Sequence, residues 1–348
     1  MDNKVVTFGE ILLRLTPPGH LKISQSKMLC ASFGGSETNV AVSLAHLGIK
    51  SEFVTRLPQN DVAEACLMDL RSHSVGTEHI VFGGDRLGLY YFENTAAMRV
   101  ANVVYDRGNS SFCTTQRGMI DWRRVFNGAT WFHWSGIAPS VSASAADVTM
   151  EAVDIAHDMG LTISSDLNFR KNLWTYGKRA EEVMPALARK CDVLFGTEGE
   201  YQKAFGIEPV AYDAQSASDK IDLAAHEDFC RRVMAQTQQC KFMFVALRNV
   251  LSANHHILTG LLYTRDGQMY TTRTYDIDHI VDCVGVGDAF AAGIIYGLLN
   301  YNGQPQKALN FAVAASALKN TFEGDYSLAK PQDVLNLAVE REAGNVSR

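Results

Sequence analysis

The chain has 348 residues, 47% of them hydrophobic and 20% charged, and its formal net charge is -6. This composition is typical of a globular protein with a sizeable core, and the mild acidity without a basic stripe argues against a general nucleic-acid-binding protein. Seven cysteines are scattered without a Cys-x-x-Cys pair, which favours free thiols over a disulfide framework or a zinc site. We find no signal-peptide pattern and no apolar run long enough to span a bilayer, and therefore predict a cytoplasmic protein without membrane contact.

Apolar runs and helical spacings alternate along most of the chain. The first part reads as a strand at 5–9, a helix ending at Gly48, a strand at 52–55, a helix at 62–71 and hairpin strands at 88–93 and 99–105. The rest reads as a strand at 130–134, a helix at 143–159, a strand at 161–166, a helix at 180–188, a strand at 193–195, helices at 198–205 and 229–237, strands at 242–247, 256–264 and 269–275, and helices beginning at 289, 306 and 332. This alternation predicts an α/β fold, a doubly wound and mostly parallel sheet with helices on both faces.

Two segments, near 11–33 and 87–106, fit this alternation poorly and read as β-hairpins. We predict that they form a small β-sheet lid over the carboxyl ends of the parallel strands, where doubly wound folds bind ligands. The stretch at 213–222, rich in Ala, Gln, Ser and Asp, is predicted to be a surface loop rather than a domain boundary. Residues 1–348 are therefore predicted to form a single domain that carries the lid.

The stretch from Asp282 to Gly293 combines two glycines, a carboxylate and the start of an apolar helix. Gly285 and Gly287 allow a sharp turn in which backbone N–H groups point at one spot, at the positive end of that helix. Asp288 follows in the first helical turn. An anion hole beside a carboxylate suits phosphoryl transfer, in which the carboxylate takes the acceptor's proton. A plain helix N-cap explains the same residues without chemistry, and this segment alone leaves both interpretations open.

Two motifs together carry a family resemblance. Gly34-Gly-Ser-Glu-Thr-Asn39, followed by an alanine-rich helix, resembles the N-terminal signature of the ribokinase-like (PfkB-type) carbohydrate kinases, and Gly285-Val-Gly-Asp288 resembles their C-terminal signature. The order and separation of the motifs match over nearly the whole chain. The resemblance implies a ribokinase-like fold, ATP with Mg²⁺, a sugar hydroxyl as nucleophile, and a lid that also joins the subunits of a homo-oligomer. It leaves open whether a monovalent cation is required.

The resemblance also implies roles for individual residues. Asp288 would be the catalytic base. The anion hole would be formed by the amides of Gly285, Val286, Gly287 and Asp288. The sugar hydroxyls would be held by Gly34, Gly35 and Asn39. Taken alone, Gly34-Gly35 is equally an ordinary loop before a helix, and Asn39 a solvated helix position.

Two segments depart from the family pattern. The family's Asn-x-x-Glu, which organises Mg²⁺ and phosphate through water, is Thr197-Glu-Gly-Glu200 here, and threonine keeps a hydrogen-bond donor. Glu200 would then reach Mg²⁺ through water. The family's Lys-x-Gly is replaced by Arg248-Asn-Val, so that Arg248 is either an ATP phosphate ligand or a surface charge. Asn320, at the end of an alanine-rich helix, is either an adenine contact or part of a core helix.

Three arginines at lid and cleft positions point to an acidic substrate. They are Arg14, Arg107 and Arg170, and a neutral sugar gives them no charge to meet. A sugar acid does, because arginine binds a carboxylate through two parallel, charge-assisted hydrogen bonds. Arg170 also lies just past the carboxyl end of a predicted strand, on the ligand side of such a sheet.

Four segments resemble the 2-keto-3-deoxygluconate kinases among these enzymes. They are Gly88-Leu-Tyr-Tyr, Val104-Tyr-Asp-Arg107, Phe132-His-Trp-Ser-Gly136 and Asp166-Leu-Asn-Phe-Arg170. By this likeness the acid would be contacted by Tyr90, Tyr105, Arg107 and Arg170. In the alternative, Arg170 pairs with Asp166 and only braces its loop, and the two tyrosines are an ordinary cross-strand pair.

The sequence thus predicts a kinase that uses ATP to phosphorylate the terminal hydroxyl of 2-keto-3-deoxygluconate (2-dehydro-3-deoxy-D-gluconate), giving the 6-phosphate. Its partners are a small sugar acid and ATP, with no nucleic acid. Two alternatives stay open. One is a kinase of another sugar, such as fructose or an epimeric keto-deoxy acid, and the other is a non-catalytic sugar-acid sensor on the same fold.

Overall fold

The computed structural model describes residues 3–94, 96–210 and 221–339. The strands are β1 (Lys4–Phe8), β2 (Leu12–Thr16), β3 (Cys30–Gly34), β4 (Lys50–Val54), β5 (Arg56–Leu57), β6 (Val81–Phe82), β7 (Gly88–Glu93), β8 (Asn102–Asp106), β9 (Trp131–Ser135), β10 (Thr162–Asp166), β11 (Val193–Gly196), β12 (Phe242–Ser252), β13 (His255–Thr264), β14 (Met269–Thr271) and β15 (Tyr275–Ile277). The helices are α1 (Ser36–His46), α2 (Asp61–Ser72), α3 (Trp122–Val125), α4 (Ala143–Asp158), α5 (Ala180–Ala188), α6 (Glu198–Phe205), α7 (Leu223–Gln236), α8 (Val286–Asn300), α9 (Pro305–Lys319) and α10 (Pro331–Ala338). Most of the loop predicted at 213–222 lies outside the described residues.

Nine of the described strands form the main sheet, in the order β14-β13-β12-β11-β10-β9-β1-β4, with β15 also paired to β13. In this sheet β4, β1, β9, β10, β11 and β12 run parallel to one another. Strand β13 turns back antiparallel to β12. This confirms the predicted mostly parallel sheet. Parallel strands place their carboxyl ends at one edge of the sheet, and the loops that follow β1, β9, β10 and β11 therefore meet there.

Side chains alternate between the two faces of the sheet and enter two separate cores. Val6 and Phe8 of β1 pack with residues of α4, α5 and α7, whereas Val5 packs with residues of α1, α8 and α9. Successive strand residues point to opposite faces, so both faces must be apolar when helices cover both. The two cores confirm the predicted doubly wound arrangement.

Several predicted boundaries differ from the structure: β8 begins at Asn102 rather than at 99, β12 extends to Ser252 rather than ending at 247, and α8 begins at Val286 rather than at 289. Two further differences have a visible cause. The strand predicted at 269–275 is two short strands, because the Thr272 hydroxyl accepts from the Gly260 amide and replaces one backbone bond of the ladder. Helix α7 begins at Leu223 rather than at 229, since the Asp222 carboxylate caps it by accepting from the Ala225 amide. Both differences arise from side-chain bonds that a hydrophobic pattern does not reveal.

Four strands form the lid, in the order β3-β2-β7-β8. The pairs β2–β3 and β7–β8 are antiparallel, as predicted for two hairpins, and β2 joins them by running parallel to β7. Leu12, Tyr90 and Phe92 of the lid pack against Val284, in the loop before α8. The lid therefore touches the segment that leads into the predicted anion hole. Within the described ranges, every helix is too short or too polar to cross a membrane.

Candidate active site

A cleft of about 390 Å³ lies between the lid and the carboxyl ends of the parallel strands. Every residue that the resemblance assigned to catalysis, substrate or cofactor lines this cleft, except Asn320. These residues come from both sheets and from the N-terminal ends of α1, α6 and α8. The structure thus gathers groups that are as much as 254 positions apart, from Gly34 to Asp288, around one space.

The start of α8 has the form of an anion site. Gly285 adopts φ +80°, and a β-carbon there would lie 2.0 Å from the carbonyl oxygen of Asp325, so glycine is required. No side chain of the described residues caps the helix. The amides of Val286, Gly287 and Asp288 accordingly have no acceptor among those residues. Because no described group satisfies these amides, they are available to an anion, which favours the anion-hole interpretation over a plain N-cap.

Asp288 is held in place by two hydrogen bonds and is 8% exposed. The Ser36 hydroxyl donates to Oδ1 at 2.7 Å, and the Asn39 amide donates from Nδ2 to Oδ2 at 2.7 Å. The Asn168 amide donates to the Ser36 oxygen at 3.1 Å and completes the network. Burial raises the pKa of Asp288 above its ordinary value, while the bonds from Asn39 and Ser36 oppose that rise. The carboxylate is a fixed acceptor at the edge of the cleft, as a base needs to be.

Asn39 has a structural task besides the sugar contact that the resemblance implied. Besides its bond to Asp288, its Oδ1 accepts from the Gly35 amide at 3.2 Å, so the described structure uses both ends of the side chain. It positions the carboxylate, and its contact with sugar hydroxyls stays a prediction. Ser36 and Asn168 were missed, although Ser36 lies three positions before Asn39 on the same helical face, a spacing that could have revealed it.

A third missed residue, Glu37, lies under the site. It has no exposed surface, and its Oε1 accepts from the amide and hydroxyl of Ser135, at the end of β9. Its Oε2 has no partner in the described part of the chain. Burial raises the pKa of Glu37 to about 7, and the neighbouring Asp288 adds to the rise. In the sequence, this residue stands out only as one member of the segment Gly34-Gly-Ser-Glu-Thr-Asn39.

Arg170 is exposed in the cleft and forms no hydrogen bond or salt bridge through its side chain with the described residues. The bracing alternative, a pair with Asp166, is therefore not observed. Burial raises the pKa of Asp166 well above its usual range, Glu200 and Asp288 add to the rise, and the charge of Arg170 opposes it. The guanidinium of Arg170 thus faces a cleft lined by carboxylates without forming a salt bridge to any of the described ones.

Thr197 and Glu200 form a capping box at the start of α6. The Glu200 Oε2 accepts from the Thr197 amide at 2.7 Å and from its hydroxyl at 3.0 Å. Threonine at this position therefore does donate a hydrogen bond to the glutamate. The other oxygen of Glu200 has no partner among the described residues and lies in the cleft.

The carboxylates suit Mg²⁺ only in an open site. No group of three or more His, Cys, Asp or Glu side chains in the described ranges could by itself hold a metal ion. Mg²⁺ in phosphoryl-transfer enzymes is bound by one or two carboxylates together with substrate phosphates and water. Asp166 and Glu200, which repel each other across the cleft, fit that requirement.

The lid arginine of the cleft already has a partner. Arg107 donates to the Glu10 carboxylate through Nε at 2.8 Å and also through Nη2, and Ser110 donates to the same carboxylate. Its guanidinium lies 5.4 Å from the Tyr105 ring centre. The charge of Arg107 is therefore balanced by Glu10, a residue that follows the first strand directly and that the sequence reasoning did not single out.

The expectation that Arg14 awaits a substrate carboxylate is wrong. Arg14 is 3% exposed, does not line the cleft, and binds Asp282 at 2.6 Å and Asp325 at 2.7 Å. The Tyr90 hydroxyl also donates to Asp325, at 2.7 Å. Because the partners of Arg14 lie 268 and 311 positions away in the sequence, no local pattern reveals them.

Tyr90 and Tyr105 are indeed cross-strand neighbours, opposite each other on β7 and β8 with ring centres 6.1 Å apart. Both nevertheless line the cleft, so packing and ligand contact are compatible here. Arg248 is exposed at the cleft and forms no salt bridge within the described chain.

Asn320 is buried outside the cleft. Its Nδ2 donates to the carbonyls of Ser316 and Ala317 in its own helix, α9. Its Oδ1 has no partner in the part of the chain that the structure describes. This placement gives no support to the predicted adenine contact.

Comparisons with known proteins find carbohydrate kinases along nearly the whole chain. A family model described as the pfkB family carbohydrate kinase matches residues 2–230 and 259–332. The chain is 29% identical over 347 residues to a 2-dehydro-3-deoxygalactonokinase from Haloferax volcanii, covering 99% of each chain. It is 26% identical over 301 residues to a 5-dehydro-2-deoxygluconokinase from Geobacillus kaustophilus, covering 86% of this chain and 82% of that one. Among solved structures, a 2-dehydro-3-deoxygluconokinase from Thermotoga maritima matches with a TM-score of 0.90 and 36% identity, covering 98% of this chain and 99% of the other.

Proposed function

Because the chain belongs to the pfkB family of carbohydrate kinases, we propose that it transfers the γ-phosphoryl group of ATP to the terminal hydroxyl of 2-keto-3-deoxygluconate. The observation that carries this proposal is the pairing of two features in one cleft. Asp288 is fixed beside the unsatisfied amides of α8, and Arg170 faces the same space without a carboxylate partner. The first feature suits phosphoryl transfer, and the second suits an acidic sugar.

The reaction needs a base, an anion hole and a closed cleft. The terminal hydroxyl oxygen forms a bond to the γ-phosphorus while the bond from that phosphorus to the β,γ-bridging oxygen breaks, and ADP leaves with the bridging oxygen. The hydroxyl proton passes to Asp288, which Ser36 and Asn39 hold in place. The amides of Val286 to Asp288 offset the charge on the transferred group. Mg²⁺, when bound near Asp166 and Glu200, would neutralise phosphate charge.

The acid specificity rests on charge. Of the three cations that line the described cleft, Arg107 is neutralised by Glu10, which leaves Arg170 and Arg248. We assign Arg170, which follows β10, to the carboxylate of the sugar acid. We assign Arg248, which lies on β12, to the ATP phosphates. The three relatives described above are named for keto-deoxy sugar acids, which supports this assignment.

Two other substrates and one other role remain as alternatives. The names of the relatives include both the gluco and the galacto acid, so an epimer of the proposed substrate is the first alternative. The pairing of Arg14 removes one argument against fructose, and the unpaired Arg170 is the argument that remains. A sensor on the same fold would bind the acid without turning over ATP.

A substrate panel tests the proposal. We expect ADP release with Mg-ATP to be fastest with 2-keto-3-deoxygluconate or its galacto epimer, and slow with gluconate, fructose and ribose. Arg170→Ala should raise the KM for the acid by about 10- to 100-fold, the cost of losing one charge-assisted contact. Steady-state kinetics measures both effects.

Arg248→Ala is the matched control, because it removes a second unpaired cation from the same cleft. It should raise the KM for ATP and leave that for the acid nearly unchanged. Turnover of fructose alone would refute the acid assignment. Binding of the acid without ADP release would support the sensor instead.

We place the reaction in the cytoplasm. ATP is available there, and the compartment keeps thiols reduced, which suits a chain whose seven cysteines are all free. This location agrees with the composition of the chain and is tested by fractionation of the cells that make the protein.

We also propose that the lid joins two copies of the chain. Strand β8 is an edge strand whose five residues are all exposed, and it carries the apolar side chains of Val103 and Val104. An exposed apolar edge is a ready site for pairing with another strand. Light scattering should give the mass of an oligomer for the wild type and of a single chain for Val104→Lys. A wild type that is monomeric at high concentration would contradict the proposal.

A further inference from the structure

Lys319 is a buried cation that the proposed reaction does not use. It is the last residue of α9 and has no exposed surface. It forms no salt bridge within residues 3–94, 96–210 and 221–339. Its Nζ instead donates to two backbone carbonyls, that of Asp282 at 3.4 Å and that of Phe322 at 3.1 Å. A charge buried without an ion pair is costly, so its retention calls for a physical reason.

The surroundings of the ammonium are negative. It lies at the carboxyl end of α9, where the helix dipole favours a cation. Burial lowers the pKa of Lys319, and the carboxylates of Asp282 and Asp325 oppose this effect, while Arg14 adds to the lowering. These two carboxylates are the ones that bind Arg14. Arg14, Lys319, Asp282 and Asp325 therefore form one buried cluster of two cations and two carboxylates. The backbone carbonyls of Asp282 and Phe322 complete it.

The cluster lies directly behind the anion hole. The Lys319 Cε is 3.4 Å from the point where a β-carbon of Gly285 would lie. The Asp282 carbonyl belongs to the loop that enters α8, and the Phe322 carbonyl belongs to the turn that follows α9. The Asp282 carboxylate also accepts from the Gly324 amide at 3.2 Å and ties the two segments together. Lys319 itself does not line the cleft, so its effect on a bound phosphate is indirect.

We propose that the Lys319 ammonium serves as a built-in monovalent cation, which fixes the loop at 282–288 and places positive charge behind the anion hole. The protein then needs no potassium or sodium ion for catalysis. Carbonyl oxygens that converge on a buried point beside two carboxylates are ligands for a hard monovalent cation, and here the side chain occupies that point. Lys319 is a positioning residue. The catalytic part of this inference rests on the proposed function.

Truncation of the Lys319 side chain should leave a space between the carbonyls of Asp282 and Phe322 that can bind a monovalent cation. Wild-type Tm should be the same in potassium chloride and in choline chloride at equal ionic strength. Lys319→Ala should be less stable than the wild type, and potassium should raise its Tm by on the order of 2 °C because the ion binds only the folded state. Lys319→Met should not respond to potassium, since its side chain still fills the point. Thermal unfolding measures all three without any turnover.

Activity gives the second readout. Wild-type kcat should not change when potassium is replaced by choline. Lys319→Met should lose about 10²-fold in kcat, comparable to the loss of one group that stabilises developing charge, with little change in the KM for the sugar acid. Lys307→Ala is the matched control, because Lys307 lies on the same helix but is exposed, and it should keep wild-type kcat and Tm.

Three results would overturn the inference: a wild type that needs potassium, a Lys319→Ala variant whose Tm ignores potassium, or a Lys319→Met variant with wild-type kcat. If Lys319→Ala does not fold, Lys319→Met decides through its kcat. If the wild type phosphorylates none of the sugars, the proposed function fails, and the Tm comparison still decides the role of Lys319.

Discussion

Asp288→Asn is expected to fold like the wild type and to lose about 10²- to 10⁴-fold in kcat, which is the usual cost of removing a positioned base. The amide keeps the size of the carboxylate, and Ser36 can still donate to its oxygen, although the bond from the Asn39 amide is lost because two NH2 groups cannot bond to each other. The asparagine amide cannot take the proton of the attacking hydroxyl. The loss of activity should therefore appear in kcat rather than in the KM for either substrate. Steady-state kinetics with the sugar acid that the panel identifies measures this loss.

The control for this variant is Asp266→Asn, which changes an exposed carboxylate in the turn between β13 and β14. It should leave kcat unchanged. Calorimetry of ATP binding and thermal unfolding should show that Asp288→Asn keeps its fold and its nucleotide site. A kcat within a few-fold of the wild type would remove Asp288 as the base, since acid–base catalysis is worth at least about 10²-fold.

Arg14→Met is expected to lower the free energy of unfolding by about 3–5 kcal/mol, because it leaves two buried carboxylates without their cation. Arg14 binds Asp282 and Asp325, whose side chains are at most 4% exposed. Its guanidinium also packs over the Phe92 ring, 4.4 Å from the ring centre, and methionine retains part of that contact. Urea denaturation followed by far-UV circular dichroism measures the change.

Arg86→Met provides the comparison, since it also removes an arginine from an ion pair at the lid. Arg86 binds Asp106 at 2.7 Å, but both side chains are substantially exposed and solvent screens the pair, so its loss should change stability little. Equal and small losses in the two variants would show that the Arg14 cluster does not hold the lid to the anion-hole loop. A large loss in Arg14→Met alone is the expected result.

Much of the candidate site could be predicted because its chemistry lies in short segments. Gly285 to Asp288 place a turn, an anion site and a base within four positions, and Gly34 to Asn39 open a helix in the same way. Such groups depend on local backbone geometry, which neighbouring residues determine. The cleft contains both segments, as the resemblance implied.

Residues whose role depends on distant partners were misjudged or missed. Arg14 was assigned to the substrate, yet it binds carboxylates that only the folded chain brings near it. Ser36 and Asn168 were overlooked, although they complete the network around Asp288. For Asn320 the sequence leaves open an adenine contact or a place in a core helix, and the structure buries its side chain against α9, outside the cleft. A single sequence shows which charges exist but not which of them are already neutralised.

Hydrophobic periodicity and backbone freedom are local properties, so the α/β class, the lid and the two glycine-rich segments could be predicted from the sequence. Which cations face the cleft without a salt bridge depended on the folded chain. Coulomb interactions depend on the distance between two charges and on their burial. Arg14 and Asp325 are 311 positions apart in the sequence, and they become close and buried only when the chain is folded. For the same reason, the burial of Lys319 behind the anion hole becomes visible only once α8 and α9 are packed together.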